Sequence, residues 1–148
     1  MGGVVTHIVE SGPWAGWISW SDHDFRGFLR VVGPSYARVL DGARAHVVIM
    51  TGADHANRLD TLHGGFLAGF ADHAYFAALA ALGREDLVQG VTIDLTMQYF
   101  GAGRVGSNLE AEVEVLRETG RMLFMRLQLM QNGQAIAAST ITIRKPSR

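Results

Sequence analysis

The stretch Asn57–Gly83, NRLDTLHGGFLAGFADHAYFAALAALG, decides what the rest of the chain must do. It opens polar, reaches His63-Gly64-Gly65, and then runs apolar and alanine-rich to Leu82 with no proline. Only Asp72 and His73 bring charge-bearing groups into that run. Ala, Leu, Phe and Tyr in this density read as a helix of roughly five turns at 3.6 residues per turn. A helix apolar on nearly every face is expected to be buried all round. Gly83 is a natural stop, because glycine adopts the left-handed conformation just past a helix end at little cost.

A carboxylate inside such a helix needs partners, a shifted pKa, or access to a water-filled site. Asp72 is therefore either a structural aspartate at an interface or a catalytic base or nucleophile. Gly64 and Gly65 favour the second reading. Two glycines at a helix start expose backbone N–H groups, and the helix dipole favours negative charge there. That arrangement suits a developing oxyanion. Gly64 and Asp72 are eight positions apart, about 12 Å along a helix rising ~1.5 Å per residue. One small reacting carbonyl cannot touch both. If both serve one reaction, Asp72 comes from a second copy of the chain, which implies a dimer with a shared site.

Composition narrows the remaining classes. The 148 residues fit one domain, 1–148, with 48% hydrophobic residues, ample for a core. The net charge of −1 leaves no electrostatic footprint for nucleic acid. With no cysteine, disulfides, thiolate catalysis and cysteine-ligated metals are excluded. MGGVVTHIVESGPW lacks a basic region followed by an apolar run and does not read as a signal peptide. No breaker-free apolar stretch of about 20 residues is present for a membrane span. A cytoplasmic location is expected.

In chain order, Trp14, Trp17 and Trp20 at three-residue spacing could line one side of a short helix that packs over the core, within an N-terminal extension of residues 1–20. Ser21 to Asp24 resembles a helix N-terminus preceding Phe25, Phe28, Leu29 and Val32, so a short helix is expected over 21–33. Tyr36–Leu40 and Ala43–Met50 read as a strand pair, or a bulged strand, about Asp41-Gly42. After the long helix, Val91–Tyr99 alternates strictly. One face is Val91, Ile93, Leu95, Met97 and Tyr99; the other is Thr92, Asp94, Thr96 and Gln98. Leu109–Leu116 alternates again with Glu110, Glu112 and Glu114 outward, a solvated face rather than a metal site. Asn132-Gly133 is a strong hairpin signal between Met122–Met130 and Ala135–Ile143. An antiparallel sheet curled around one apolar helix satisfies both elements, an α+β fold of five to six strands.

The residues now quoted resemble a known family. Asn57, His63-Gly64-Gly65 six residues on, Asp72, and the strand Val91-Thr92-Ile93-Asp94-Leu95 ending in Tyr99 are similar to the hotdog-fold acyl-CoA thioesterases of the phenylacetate-degradation type. The resemblance covers about residues 25–145. It implies a helix wrapped by an antiparallel sheet, two subunits joined edge to edge, a dimer of dimers, and active sites at the dimer interface. It implies that the Gly64 N–H and the Asn57 side chain polarise the thioester carbonyl. Gly65 would let the chain approach closely. Asp72 of the partner would act as base or nucleophile, with Thr92 holding the water or carboxylate. His63 would orient the Asn57 loop or contact the thioester.

Phe66, Phe70, Tyr75, Phe76, Met97 and Tyr99 are candidates to shape the acyl pocket. Arg104, Arg117, Arg121, Arg144 and Lys145 are candidates for the CoA phosphates, with Phe66, Arg144 and Lys145 taken with Gly65 as substrate-binding. Coenzyme A enters only as part of the substrate, and neither a further cofactor nor a metal is expected: His55, His63, Asp72 and His73 fit no ligand spacing. The expected activity is hydrolysis of an acyl- or aryl-CoA thioester. The alternatives are a non-catalytic acyl-CoA-binding protein and a hydratase or dehydratase on the same fold.

Overall fold

In a computed structural model of the chain, which describes residues 6–20 and 27–147, the apolar run folds as the helix its composition requires. This helix, α2, spans Gly64–Ala81. His63 caps its start in an extended conformation, its side chain accepting from the Gly65 N–H. At the other end the Gly83 N–H donates to the Ala80 carbonyl at 3.1 Å and the Arg84 N–H to the Leu79 carbonyl at 2.8 Å. Gly83 itself sits at φ 73°, so the end is a Schellman motif that satisfies the last carbonyls.

Eight antiparallel strands are described, in the order β1-β2-β3-β4-β6-β7-β8-β5. They are β1 Thr6–Ile8, β2 Ile18–Trp20, β3 Ser35–Val39, β4 Arg44–Met50, β5 Val91–Tyr99, β6 Asn108–Glu118, β7 Met122–Gln131 and β8 Gln134–Arg144. Two short helices, α1 Leu29–Val32 and α3 Glu85–Val88, complete the described elements apart from a 3-10 turn at Ala53–His55. The sheet wraps α2, as the hotdog resemblance implies. Its inward residues, among them Ala45, Val47, Ile49, Leu109, Ala111, Val113, Leu123, Met125, Ile141 and Ile143, are buried against Phe70, Ala71, Ala74 and Tyr75 of the helix. Alanines along α2 let the sheet come close, and the buried Tyr75 hydroxyl donates to Ser139 Oγ at 3.0 Å. No helix among the described residues is long and apolar enough to cross a membrane.

Two expectations are corrected. The sheet has more than five to six strands, because β3 and β4 are separate strands about Asp41-Gly42 and the N-terminal segment adds β1 and β2. Trp14 lies in a turn, Trp17 just before β2 and Trp20 at the end of β2, not on a helix: Trp14 stacks on Tyr36 at 4.5 Å and Trp17 lies 5.5 Å from the His46 ring. Their spacing imitates a helix face, but Gly12 and Gly16 at φ 89° and 86° bend the chain back between β1 and β2. One chain by itself leaves one face of α2 partly open. Gly65 is exposed, and Gly69, Asp72 and Phe76, on the same face at helical spacing, are only half-buried. The expected cap at Ser21–Asp24 lies outside the described residues, and the part of 21–33 that is described is helical over Leu29–Val32.

Glu110, Glu112 and Glu114 face outward as expected. Each meets a side chain on a neighbouring strand: Glu110 lies 3.7 Å from the His46 ring, whose pKa burial lowers, while Glu112 and Glu114 pair with Arg44 at 3.1 Å and Arg126 at 2.7 Å. Such exposed pairs add little stability.

Strand β5 matters most for function. Among the described residues it pairs only with β8 and so forms one edge of the sheet. A bulge interrupts its register between Thr92 and Asp94. Leu95 is opposite the buried Ile141 and Thr92 opposite the buried Ile143, so both face the helix, while Asp94, Thr96 and Gln98 face away. Strict alternation puts Thr92 with the polar face; one extra residue in the strand turns it inward.

Candidate active site

The loop before α2 is built around Asn57. Its Oδ1 accepts from the N–H groups of Leu59 at 2.8 Å and Thr61 at 3.2 Å, and its Nδ2 donates to Thr61 Oγ1 at 2.8 Å. This is the side chain-to-backbone bonding that asparagine provides in turns. It leaves one Nδ2–H for a ligand. The loop is then clamped to the fold: the Leu62 N–H donates to the Gly103 carbonyl at 3.0 Å and the His63 N–H to the His55 carbonyl at 2.8 Å. His55, buried, accepts from the Gly52 N–H on Nδ1 at 3.0 Å, meets the Val31 carbonyl through Nε2, and stacks on Phe66 at 3.9 Å. Phe66 therefore lies in the core behind the turn, 6% exposed, rather than open to substrate.

At the helix start the His63 ring folds back so that Nδ1 accepts from the Gly65 N–H at 2.9 Å. A β-carbon at residue 65 would lie 3.0 Å from that Nδ1, so the close approach that Gly65 permits here is the histidine's own. As the first residue of α2, Gly64 has no intrahelical acceptor for its N–H, which leaves that group as the donor at the positive end of the helix dipole. Its carbonyl accepts from the Tyr99 hydroxyl at 2.7 Å. The phenol thus ties the last residue of β5 to the first turn of α2. This tie is not legible in the sequence, where Tyr99 is a strand end and a candidate to shape the acyl pocket.

Asp72 lies two turns further along. Thr92 Oγ1 donates to Asp72 Oδ1 at 2.7 Å, which the β5 bulge makes possible; among the described residues Oδ2 has no hydrogen-bond partner. The neighbouring His73 points elsewhere. Its Nε2 is 2.9 Å from Ser35 Oγ, and its ring meets Trp20 edge-on at 6.1 Å. Burial pulls its pKa down to about 4, against the opposing pull of the Asp72 charge. His73 is a neutral packing group near neutrality, and no cluster of three metal-binding side chains occurs among the described residues.

One chain thus assembles two clusters at opposite ends of β5. Thr92 and Asp72 meet at its start; Tyr99, Gly64, His63 and the Asn57 loop meet at its end. The two are separated by about 12 Å of helix.

The cations at the C-terminal end divide. Lys145 Nζ pairs with Glu118 at 2.6 Å, and Arg84 pairs with the same carboxylate at 2.7 Å. Arg84 first, then Lys145, holds Glu118 down to about 2. Arg144 is exposed opposite Val91, at the start of β5, and lines a cavity of about 280 Å³ with Arg121 and Lys145.

Comparison with known proteins bears on the family of the chain. A family model described as the thioesterase superfamily matches residues 59–138. A provisionally named esterase of Pseudomonas aeruginosa is 29% identical over 118 residues, covering 80% of this chain and 87% of the relative. Acyl-coenzyme A thioesterase 13 of Homo sapiens is 26% identical over 106 residues, covering 70% of this chain and 73% of its own. Among solved structures, a mutant of the phenylacetic acid degradation protein of Thermus thermophilus superposes with a TM-score of 0.63 at 27% identity, covering 80% of this chain and 98% of that one.

Proposed function

Because the chain belongs to the thioesterase superfamily and is a thioester hydrolase of the hotdog fold, we propose that it cuts an acyl- or aryl-CoA thioester into the free acid and CoA, at a site shared by two copies. The observation that carries the sharing is the split of the two clusters along an edge strand. Val91, Ile93 and Tyr99 of β5 are 61%, 53% and 50% exposed, and Phe100 beyond it is 57% exposed. An apolar edge strand is a pairing surface. Antiparallel pairing of β5 with its symmetry mate lays the Thr92 end of one strand beside the Tyr99 end of the other. That carries Asp72 of each copy towards the Gly64 turn of its partner. Pairing of such dimers into a tetramer is part of the same proposal.

In this reading the Gly64 N–H, with the remaining Nδ2–H of Asn57, binds the carbonyl oxygen and stabilises the oxyanion that forms on it. Asp72, its Oδ1 held by Thr92, presents Oδ2 to the reacting centre. It either takes a proton from water as the water attacks, or attacks the carbonyl carbon itself. The carbon–sulfur bond then breaks: in the first route the proton taken by Asp72 passes to the departing thiolate, and in the second water hydrolyses the mixed anhydride on Asp72, releasing the acid, restoring the carboxylate and supplying the proton that makes CoA the thiol. His63 shapes the turn through the Gly65 N–H. Arg144 is the better placed of the two proposed cations for a CoA phosphate, since Lys145 must first release Glu118. The route draws on no metal and no further cofactor, and we place it in the cytoplasm.

Thiol release from a panel of acyl-CoAs tests the proposal. Wild type is expected to release thiol, and Asp72→Asn to slow turnover by at least ~10²-fold, the scale of removing a general base. Tight binding of CoA esters without release would favour a non-catalytic binder instead.

A further inference from the structure

We propose that Phe28 is the residue that sets the acyl-chain length, an inference that rests on the thioesterase reading above. Gly65, Gly69, Asp72 and Phe76 fall on one face of α2, at i, i+4, i+7 and i+11, and this is the face one chain leaves partly open. Between the helix start and Asp72 the face carries glycine at both 65 and 69, so the helix itself puts no side chain on this face there, and what covers its backbone comes from elsewhere: the His63 ring over Gly65 and the Phe28 ring over Gly69. Beyond Asp72 it is closed by the Phe76 side chain, which packs against the core. An alkyl chain attached to a carbonyl beside Asp72 has the glycine side as its apolar course.

The Phe28 ring lies across that course. A β-carbon built at Gly69 would stand 2.5 Å from Phe28 Cε1, so the ring rests directly on the helix backbone and glycine is required beneath it. Yet Phe28 is 52% exposed, which is not how a residue serving only the core is placed. Its position is fixed by the residues that follow it. Val32, four residues on, is 1% exposed in the core, and the Val31 carbonyl is held by His55, which stacks on Phe66 behind the catalytic turn. The ring is thus an apolar stop, anchored to the loop that carries His63, with one face free for the end of an acyl chain.

The test is the ratio of kcat/KM for a sixteen-carbon against a four-carbon acyl-CoA, measured by thiol release on wild type, Phe28→Ala and Phe28→Trp, with far-UV circular dichroism to confirm folding. Removing the ring is expected to raise the ratio by roughly tenfold or more, the scale on which apolar pockets discriminate by size. Enlarging it is expected to lower the ratio. If Phe28→Ala does not fold, Phe28→Trp carries the test alone. An unchanged ratio in a folded, active variant overturns the role given to Phe28 and leaves the thioesterase reading standing. Absence of thiol release by wild type overturns that reading, and this inference with it.

Discussion

Thr92 on β5 and Asp72 on α2 are joined by a 2.7 Å hydrogen bond that exists only because the strand bulges between Thr92 and Asp94. The hydroxyl fixes one carboxylate oxygen and so fixes where the other points. A hydrogen bond to a charged group contributes about 1.5–3 kcal/mol. Thr92→Val is therefore expected to lower kcat about tenfold or more with KM little changed, since each ~1.4 kcal/mol is a factor of ten in rate. Thr92→Ser should restore most of it. Steady-state kinetics on the three proteins decides, and a wild-type kcat in the valine variant would remove Thr92 from the site.

The Gly64 N–H can be deleted without disturbing the helix. Gly64 is the first residue of α2, where proline is well accommodated, and His63 before it is already extended at φ −66° and ψ 132°. A β-carbon there makes ordinary contact with the Tyr99 ring at 3.6 Å. Gly64→Pro is expected to fold normally by circular dichroism and to lose about 10²–10³ in kcat, the scale of one oxyanion donor. Full activity would show that the donor lies elsewhere.

His73 makes stability depend on pH. The unfolded chain protonates this ring near 6.5, whereas burial holds the folded ring back to about 4. Its contribution is complete above pH 6.5, falls as pH drops through that interval, and changes no further below about 4. At about 1.4 kcal/mol per pH unit the loss reaches roughly 3 kcal/mol. Denaturant unfolding at a series of pH values should show this decline. In His73→Gln, the part of the slope between pH 6.5 and 4 that the ring supplies should disappear, and a slope identical to wild type would assign the decline to other groups.

The exposed apolar edge gives a test of assembly. Ile93→Lys brings two like charges towards each other at the proposed strand pair, and is expected to weaken self-association by at least about a hundredfold. Light scattering should find a folded monomer at concentrations where wild type is oligomeric, with activity lost in parallel. An active monomer would contradict the shared site.

The features legible in the sequence are those with a strong local cause. The helix over Gly64–Ala81 follows from an unbroken apolar run with a glycine stop, and the β7–β8 hairpin follows from Asn132-Gly133, both at positive φ. The separation of Gly64 from Asp72 follows from helix geometry alone. Hidden features depend on one-residue events or on long-range contacts. The β5 bulge turns Thr92 from one face to the other, because a period-2 pattern carries no mark of an inserted residue. The three tryptophans imitate a helix face across a glycine-bent hairpin. The His63 ring takes the Gly65 N–H, which His-Gly-Gly alone does not reveal. The ring of Phe28 on Gly69 joins positions 41 residues apart.

The sharing of each site between two copies is tested most directly by complementation. Asp72→Asn and Gly64→Pro are each made, each measured alone, then co-expressed or refolded together. In a shared site, a mixed dimer pairs the intact Asp72 of one chain with the intact Gly64 of the other, and so rebuilds one of its two sites. Random assembly makes half the dimers mixed, so the mixture is expected to recover about a quarter of wild-type activity. Recovery no greater than the sum of the two variants alone would mean that each site lies within a single chain.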